Sequence, residues 1–399
     1  MIKYFDYAAT TPCHEDVIKE MNKYWNENFG NPDSRSHEYG WKAEEAVENA
    51  KKIIATALKV EASEIYFTSG ATEANNLAIK GFVNGISYNN KKIACLVTEH
   101  KCLIETLRDL NKTQQIPIDF IPVNSDGLIN WEYFLNNIKE YSLVSIGYVN
   151  NETGVKQDIS QIAKICRENN VKIHTDCAQA FGKIDINARE VDLLSISGHK
   201  IYGPKGIGVL FISKKPRVRI KAMMSGGGQQ NNIRSGTIPT PLCVGMAKAT
   251  EICLSKMNKN TSKFNDFQSF LIENLTKNDA FISINGSLEH KIPHILNLNI
   301  PYIEGESLIM RLKNFALSSG SACTSKSLEP SYVISAMHPE ERELAHSSLR
   351  ISFGIYTTFD DVKELLTALQ KHIKELRELS PLWHMKKKNI DLQSIKWKK

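Results

Sequence analysis

Residues 171–213 read VKIHTDCAQAFGKIDINAREVDLLSISGHKIYGPKGIGVLFIS, and this stretch decides the fold. Its apolar runs at 171–176, 191–196 and 207–213 have the length of buried strands, and glycine-rich turns separate the last two. Working outward, similar runs occur at 64–67, 93–98, 118–123 and 143–149. Helix-like stretches alternate with these runs between residues 38 and 213, which predicts an α/β fold.

The length of 399 residues is too great for one ordinary core, so we expect a large and a small domain. We place the large domain at residues 15–255 and a smaller α+β domain at 1–14 and 256–399, with strands at HILNLNI (294–300) and LRISFGI (349–355). Apolar residues at helical spacing predict two core-facing helices. These residues are Trp41, Val47, Ala50, Ile54 and Leu58, followed by Val362, Leu366, Leu369, Ile373 and Leu376.

Composition narrows the range of functions. The net charge of +6 is modest, and basic residues alternate with acidic ones, so nucleic-acid binding is not favoured. The eight cysteines form no C-x-x-C pair or zinc-type cluster, so we expect most to be reduced, buried and inert, with no permanent metal site. Neither a signal-peptide core nor a long apolar span is present, which predicts a cytoplasmic protein without membrane contact.

Parallel α/β sheets bind ligands at the carboxyl ends of their strands, and a lysine and an aspartate stand there. Asp176 ends one strand, and Lys200 is the fourth residue of SGHK in the next such loop. Taken alone, each is more often a surface lysine or a strand cap. Together they predict a pyridoxal 5'-phosphate site, in which the lysine binds the cofactor aldehyde and the aspartate keeps the ring nitrogen protonated.

Further strand-end loops carry residues suited to the same cofactor. Ser197 and His199 flank the lysine and can donate to the phosphate, and Thr72 in TSGATEANN opens a helix whose first amides favour an anion. His100 in TEHK can stack on the ring and exchange a proton. The ordinary alternatives are a plain helix cap for Thr72 and a satisfied core or surface histidine for His100.

Two neutral side chains, Asn151 in VNNETG and Gln179 in DCAQ, complete the predicted set. Their amides suit the ring phenolate and the carboxylate of a substrate, although either could equally be a turn residue.

Long motifs run from one end of the chain to the other. They are YAATTP, FGNPDSRSHEYGWKAEEAVENA, FTSGATEANNLAIKG, TEHK, VNNETGV, SGHKIYGPKGIG, RSGTIP, EGESLIM, SSGSACTS, LEPSYV, AHSSLRISFG and SPLWHM with its DLQSIKW ending. With these motifs the chain resembles the pyridoxal-phosphate cysteine desulfurases of the NifS and IscS type, most closely the housekeeping group that serves iron–sulfur cluster assembly. The resemblance implies fold-type I, with a mixed, mostly parallel sheet in the large domain, and a homodimer that converts L-cysteine to L-alanine.

The resemblance also implies roles for single residues. Lys200 would bind the cofactor, with Asp176 at its ring nitrogen, Gln179 at its phenolate and His100 stacked over the ring. Its phosphate would be held by the backbone of Ala71 together with Thr72, Ser197, His199 and Thr237, the last supplied by the partner subunit.

Substrate positioning is implied for Asn151 and Arg350. Arg350 would grip the substrate carboxylate, which a guanidinium matches well, although a surface ion pair is the alternative. One departure is visible between Asp176 and Gln179, where relatives usually carry Ala and Thr but this chain has Cys177 and Ala178. A hydroxyl near the ring is thereby lost.

Cys323 lies in LSSGSACTSKSLEP, a stretch rich in Ser and Gly that predicts a surface loop. A thiol on such a loop is accessible. The resemblance makes Cys323 the catalytic cysteine that carries sulfur as a persulfide, with His100 as the candidate base for the substrate thiol, and a candidate transient iron–sulfur ligand when a scaffold protein is bound.

The resemblance points to protein partners as well. The tail from 386 to 399 would meet the iron–sulfur scaffold, and frataxin-like, ferredoxin and tRNA-thiolation proteins are further candidate acceptors or partners. A basic stretch suits acidic partners but could also be an ordinary solvated face. It comprises Lys214, Lys215, Arg217, Arg219 and Lys221. SGGGQQNN (225–232) is interpreted as a flexible loop.

Three other functions compete. An aminotransferase would have no use for a cysteine on a loop, whereas a selenocysteine-specific lyase differs only in substrate. A non-catalytic docking subunit would be expected to have lost Lys200 or Cys323, and both are present.

Overall fold

The structure is a computed structural model that describes residues 2–85, 88–89, 91–319 and 330–389. The helices are α1 (Glu15–Asn22), α2 (Glu38–Leu58), α3 (Ala71–Val83), α4 (Lys101–Gln114), α5 (Trp131–Asn137), α6 (Ile159–Glu168), α7 (Gln229–Asn232), α8 (Thr240–Thr276), α9 (Gly305–Arg311), α10 (Tyr332–Met337), α11 (Phe359–Leu379) and α12 (Pro381–Lys387). The strands are β1 (Lys3–Tyr4), β2 (Ile65–Thr68), β3 (Lys92–Leu96), β4 (Ile118–Ile121), β5 (Tyr141–Gly147), β6 (Lys172–Asp176), β7 (Leu193–Ser197), β8 (Gly208–Ile212), β9 (Ser283–Ile284), β10 (Ile295–Asn299), β11 (Phe315–Ala316) and β12 (Ser348–Ser352).

The main sheet has the strand order β2-β8-β7-β6-β5-β3-β4 within the described residues. Strands β7, β6, β5, β3 and β4 pair in parallel, and β8 runs antiparallel to both β7 and β2. The prediction of a mixed, mostly parallel sheet is therefore confirmed. Each of the first seven predicted strands is present, with ends displaced by at most about two residues, the usual uncertainty of strand ends.

The strands of this sheet are apolar on both faces because helices cover both. Leu193 belongs to the same buried cluster as Leu77 of α3 and Leu107 of α4, whereas its neighbour Leu194 belongs to the cluster on the other face, which contains Ile54 of α2. Successive strand residues point to opposite faces, so a strand buried on both sides reads as a continuous apolar run.

A second core lies around the antiparallel sheet β12-β10-β9. Helix α11 contributes Val362, Leu366, Leu369 and Ile373 to it, as the helical spacing predicted. Helix α8 belongs to both cores, since Met246 packs in the first and Phe267 in the second. The predicted domain boundary at residue 255 falls inside α8 and stays a prediction.

Trp41 was predicted to face the core, and this is wrong. Its side chain is 53% exposed, and its Nε1 donates to the backbone oxygen of Arg35 at 2.8 Å. The buried stripe of α2 instead includes Gly40 and Ala43, and Ala43 lies two residues beyond Trp41 and so about 200° around the helix. The other predicted members of that stripe, Val47, Ala50, Ile54 and Leu58, are buried.

The segment 225–232 is not simply a loop, because its last four residues form the short turn α7. Gln230, Asn231 and Asn232 have left-handed backbone angles there. The buried Gln230 amide accepts from the Phe67 N–H at 2.6 Å and donates to the Phe67 carbonyl at 2.8 Å. Strand β2 is an edge strand, so Gln230 supplies the hydrogen bonds that a further strand would make.

No helix among the described residues is both long enough and apolar enough to cross a membrane.

We expect Gln230→Ala to destabilise the protein by about 1 to 3 kcal/mol, because it leaves both backbone groups of Phe67 unpaired. Urea unfolding measures the loss, and Gln114→Ala on the exposed end of α4 is the matched control. Equal stability of the two variants would show that Gln230 does not protect the sheet edge.

Candidate active site

A cavity of about 620 Å³ opens at the carboxyl ends of β3, β5, β6 and β7. Its volume suits a cofactor-sized ligand. Most of the residues singled out in the sequence line it, namely Ala71, Thr72, His100, Asn151, Asp176, Gln179, Ser197, His199, Lys200 and Arg350. Thr237 is exposed and is not part of the lining. Cys323 lies outside the described residues, so the structure does not place it.

Asp176 is the last residue of β6, and two donors fix the direction of its carboxylate. The backbone N–H of Ala178 donates to Oδ1 at 2.8 Å, and Nδ2 of Asn75 donates to Oδ2 at 2.7 Å. Asn75 is fully buried on α3 and also contacts Cys102 Sγ at 3.1 Å. A carboxylate held in this way can accept from a protonated ring nitrogen without having to reorganise.

Lys200 ends the short 3₁₀ turn that follows β7, which runs parallel to β6. Its Nζ donates to the backbone oxygens of Ala8 and, at 2.8 Å, Ala9. The N-terminal segment therefore holds the lysine amine at the cavity wall.

His199 contacts the same N-terminal segment, its Nδ1 lying 3.0 Å from Thr10 Oγ1. Burial and the charges of Lys200, Lys205 and Lys183 lower the pKa of His199 to about 4. The ring is consequently neutral at pH 7, and one of its nitrogens carries a proton that can be donated.

The beginning of α3 forms a cradle for an anion. Helix α3 is 13 residues long and starts at Ala71, and Gly70 before it has φ 156°, a conformation that favours glycine. A Cβ on Gly70 would lie 4.0 Å from Ser197 Oγ, so the serine hydroxyl faces this turn. First-turn amides and the helix dipole favour a phosphate, and the missing side chain at Gly70 leaves room for one.

Together these groups fit pyridoxal 5'-phosphate. The cavity combines a lysine amine, an oriented carboxylate and an anion cradle, the three features that this cofactor requires.

His100 is the N-cap of α4, and its Nδ1 accepts from the backbone N–H of Cys102 at 3.2 Å. Because Nδ1 acts as the acceptor, the neutral imidazole carries its proton on Nε2. The ring lines the cavity, so its Nε2–H can donate a hydrogen bond to a group bound there.

Arg350 reaches the cavity from β12 in the second core and is only 4% exposed. Its Nη1 donates to the Asn151 carbonyl at 2.9 Å, and its Nη2 to Asp6 Oδ1 at 2.8 Å. The alternative of a surface ion pair is therefore wrong, because the pair with Asp6 holds a buried guanidinium at the edge of the site.

The residue that the sequence did not reveal is Glu99, whose carboxyl is buried in the cavity lining. Its Oε1 accepts from the Gly147 N–H at 2.8 Å. Burial, and to a lesser degree the charge of Asp176, raise the pKa of Glu99 to about 8. The carboxyl is thus neutral at pH 7 while Asp176 lies close by. The motif TEHK contains Glu99, but nothing in the motif separates a buried acid from a solvated one.

The cysteines largely behave as expected, since Cys95, Cys166, Cys177, Cys243 and Cys253 are buried and free. Burial raises the pKa of the Cys177 thiol well above its usual value. Cys177, one of the two residues that differ from the pattern expected between Asp176 and Gln179, is therefore inert. Ala178, which lines the cavity, marks the position of the lost hydroxyl. Cys102 lines it too and is only partly buried.

Comparison with known proteins assigns the chain. The family model Aminotransferase class-V matches residues 3–365. Cysteine desulfurase IscS of Rickettsia africae is 48% identical over 99% of this chain and 96% of its own length, and human cysteine desulfurase is 46% identical over 99% and 86%. A solved NifS-like protein of Rickettsia africae superposes with a TM-score of 0.83 at 30% identity, covering 94% of this chain and 100% of its own. A structure titled SspA in complex with cysteine gives 0.75 at 33% identity, over 89% and 100%.

We expect Glu99→Gln to raise the thermal midpoint of unfolding, and the rise at pH 8 should exceed the rise at pH 5 by about 2 °C. The folded-state pKa of Glu99 is raised to about 8, so the native protein holds a proton that the unfolded chain has released. The free energy of unfolding therefore falls as the pH rises through the folded-state pKa. The variant escapes this decrease because its amide stays neutral. Glu105→Gln on the exposed face of α4 is the control. An equal shift at both pH values would contradict the buried neutral carboxyl.

Proposed function

The chain belongs to the class-V aminotransferase family and, within it, to the cysteine desulfurases of the IscS type, and from this premise we propose how it acts on L-cysteine. It converts L-cysteine to L-alanine and passes the sulfur on as a persulfide of Cys323. The observation that carries the proposal is the meeting of Lys200, Asp176 and Arg350 around one cavity, since each contributes a function that the reaction needs.

Pyridoxal 5'-phosphate is the cofactor of this family, and when bound it supplies an electron-accepting ring that weakens the bonds at the amino-acid α-carbon. Lys200 would bind its aldehyde and would also serve to move the α-proton of the substrate. Asp176 pairs with the ring nitrogen. The α3 amides at Ala71 and Thr72 hold the phosphate together with Ser197 and His199.

Arg350 binds the substrate carboxylate, assisted by Asn151. Its contacts with Asp6 and the Asn151 carbonyl support this role, because they fix the plane of the guanidinium before substrate arrives. A positively charged fork held in place offers its remaining N–H groups at little entropic cost.

His100 exchanges protons with the substrate thiol. Because the neutral ring carries its proton on Nε2, it can accept the thiol proton there only after a change of tautomer that moves this proton to Nδ1. The protonated ring can then return a proton later in the turnover.

Sulfur transfer itself falls to Cys323. Its thiolate attacks the substrate sulfur, and the carbon–sulfur bond breaks with its electron pair left on the carbon fragment. That fragment takes up a proton and leaves as L-alanine, and Cys323 keeps the sulfur as a persulfide. No outside oxidant or reductant is required, since one sulfur atom moves from a carbon to a thiol.

A homodimer completes the proposed site. Thr237 is exposed and lies outside the lining of its own cavity, which suits a residue that reaches into a partner's site. Four aromatic side chains near α2 support a buried interface, because such large apolar groups are seldom exposed together on a monomer. They are Trp25, Phe29, Tyr39 and Trp41, all more than half exposed.

The acceptors belong to iron–sulfur cluster assembly. The tail 386–399 meets the scaffold protein, and of it only 386–389 are among the described residues. The basic stretch 214–221 follows β8, and its lysines and arginines are exposed, which suits acidic frataxin-like or ferredoxin partners. Delivery to tRNA-thiolation proteins, and the cytoplasm as the compartment, stay part of the proposal.

We expect Lys200→Ala to lose both the visible absorption of lysine-bound cofactor and all alanine formation, because the Lys200 amine lies at the cavity wall, where it contacts Ala8 and Ala9. Lys205 also lines the cavity, so Lys205→Ala is the matched control and should keep the absorption band. A band that persists in Lys200→Ala but disappears in Lys205→Ala would move the assignment to Lys205.

We expect Cys323→Ser to keep the bound cofactor and its spectral response to L-cysteine, yet to accumulate no protein persulfide. Cofactor chemistry and sulfur acceptance reside on different groups, so only the second should fail. Mass spectrometry of tryptic peptides after incubation with L-cysteine is the measurement. Cys102→Ser is the control because, among the cysteines in the described part of the chain, Cys102 is the one that lines the cavity. A persulfide on Cys102 in the Cys323→Ser protein would contradict the choice of Cys323.

A further inference from the structure

Lys183 lies behind the cofactor cavity and has no role in the reaction described above. Its Nζ donates to Gln179 Oε1 at 2.8 Å. It does not line the main cavity. It lines a separate, small cavity of about 20 Å³, together with Tyr202, Cys253 and His294. Lys183 does not line the cofactor cavity, so a hydrogen bond from it reaches the cavity through Gln179.

Gln179 connects Lys183 to the main cavity, because its side chain contacts Lys183 and also lines that cavity. Its side chain is 5% exposed and lines the main cavity, and its Nε2 donates to the Ala8 carbonyl at 2.8 Å. An amide can be rotated by 180° with almost no change in shape, so its neighbours decide which atom lies where. Here an ammonium group can only donate and a carbonyl can only accept, and the two together fix Oε1 toward Lys183 and Nε2 toward Ala8.

The Ala8 side of this arrangement is shared with Lys200. Nζ of Lys200 donates to the same carbonyl in the present structure. When Lys200 turns to the cofactor aldehyde, Ala8 keeps Gln179 as a donor, and Lys183 remains the group that prevents the amide from rotating. Burial and the nearby charges of Lys200 and Arg350 lower the pKa of Lys183 to about 7, so the ammonium form, which locks the amide, prevails below that pH.

We propose that Lys183 is a positioning residue which locks the Gln179 amide so that its second N–H is presented to the ring oxygen of the bound cofactor. The inference rests on the proposed function, because it requires the cofactor to occupy the cavity. A donor aimed at that oxygen stabilises its anionic form. The lock therefore lowers the pKa of the cofactor chromophore.

The charged groups around the chromophore set the sign of the test. Lys200 is itself bound to the cofactor in the loaded enzyme. Lys183, Lys205 and Arg350 favour the deprotonated form, Asp176 opposes it, and burial raises the pKa of Glu99 to about 8. Removing the Lys183 contact frees the amide to turn its oxygen to the cofactor oxygen. Both the lost donor and the lost charge favour the protonated form, so the midpoint rises.

The experiment is a pH titration of the visible absorption of the loaded enzyme. We expect Lys183→Met to raise the midpoint by about one pH unit, the size of one hydrogen bond to a charged group. Lys183→Arg keeps a cationic donor and should stay near the wild-type midpoint. Lys51→Met, a lysine paired with Glu48 on α2 away from the cavity, is the control and should shift nothing.

A double-mutant cycle separates action through the amide from a direct field effect. In a Gln179→Ala background Lys183→Met should add only the smaller shift that comes from the lost charge. An unchanged midpoint in Lys183→Met, or a full shift in the Gln179→Ala background, would overturn the proposal. Should Lys183→Met fail to fold, Lys183→Gln is titrated in its place, with a smaller rise expected and no rise counting against the proposal. Wild-type protein without a visible band would refute the proposed function instead.

Discussion

The parallel pairing of β5, β6 and β7 is the constraint on which the site depends. Gly147 is paired with Asp176, and Asp176 with Ser195, so the three strands leave the sheet at one edge. The Asp176 carboxylate and the turn that carries Lys200 consequently face one cavity. A shift of one residue in either pair would turn the side chains of that strand to the opposite face.

The N-terminal segment 6–10 joins this edge to the second core. Asp6 pairs with Arg350, the Ala8 carbonyl accepts from Gln179 and Lys200, and Thr10 contacts His199. Since Phe5, just before it, packs in the second core, one short segment connects Arg350 to Lys200. Charge is arranged to match, with Lys200, Lys205 and Arg350 in the lining and Glu99 neutral at pH 7. A cavity of this kind attracts a phosphate and an amino-acid carboxylate.

Much of this could be predicted from sequence because the signals were local. Apolar runs of strand length gave the sheet, and the strand-end positions of Asp176 and Lys200 brought them together. Glu99, Lys183 and Gln230 escaped notice because their roles depend on distant partners, namely Gly147, the Gln179–Ala8 pair and the edge of β2. Trp41 was misplaced because a single apolar residue does not define the face of a helix. The roles of Thr237 and Cys323 rest on resemblance alone, since one is proposed to act across a subunit boundary and the other lies outside the described residues.

The central claim is that this cavity removes sulfur from L-cysteine, as opposed to transferring its amino group. Incubating the purified, cofactor-loaded protein with L-cysteine and a thiol reductant, and quantifying products with time, tests the claim most directly. We expect L-alanine and sulfide in equal amounts, with no requirement for a 2-oxo acid. Amino transfer to an added 2-oxo acid without release of sulfide, or no turnover by protein that carries the visible band, would contradict it.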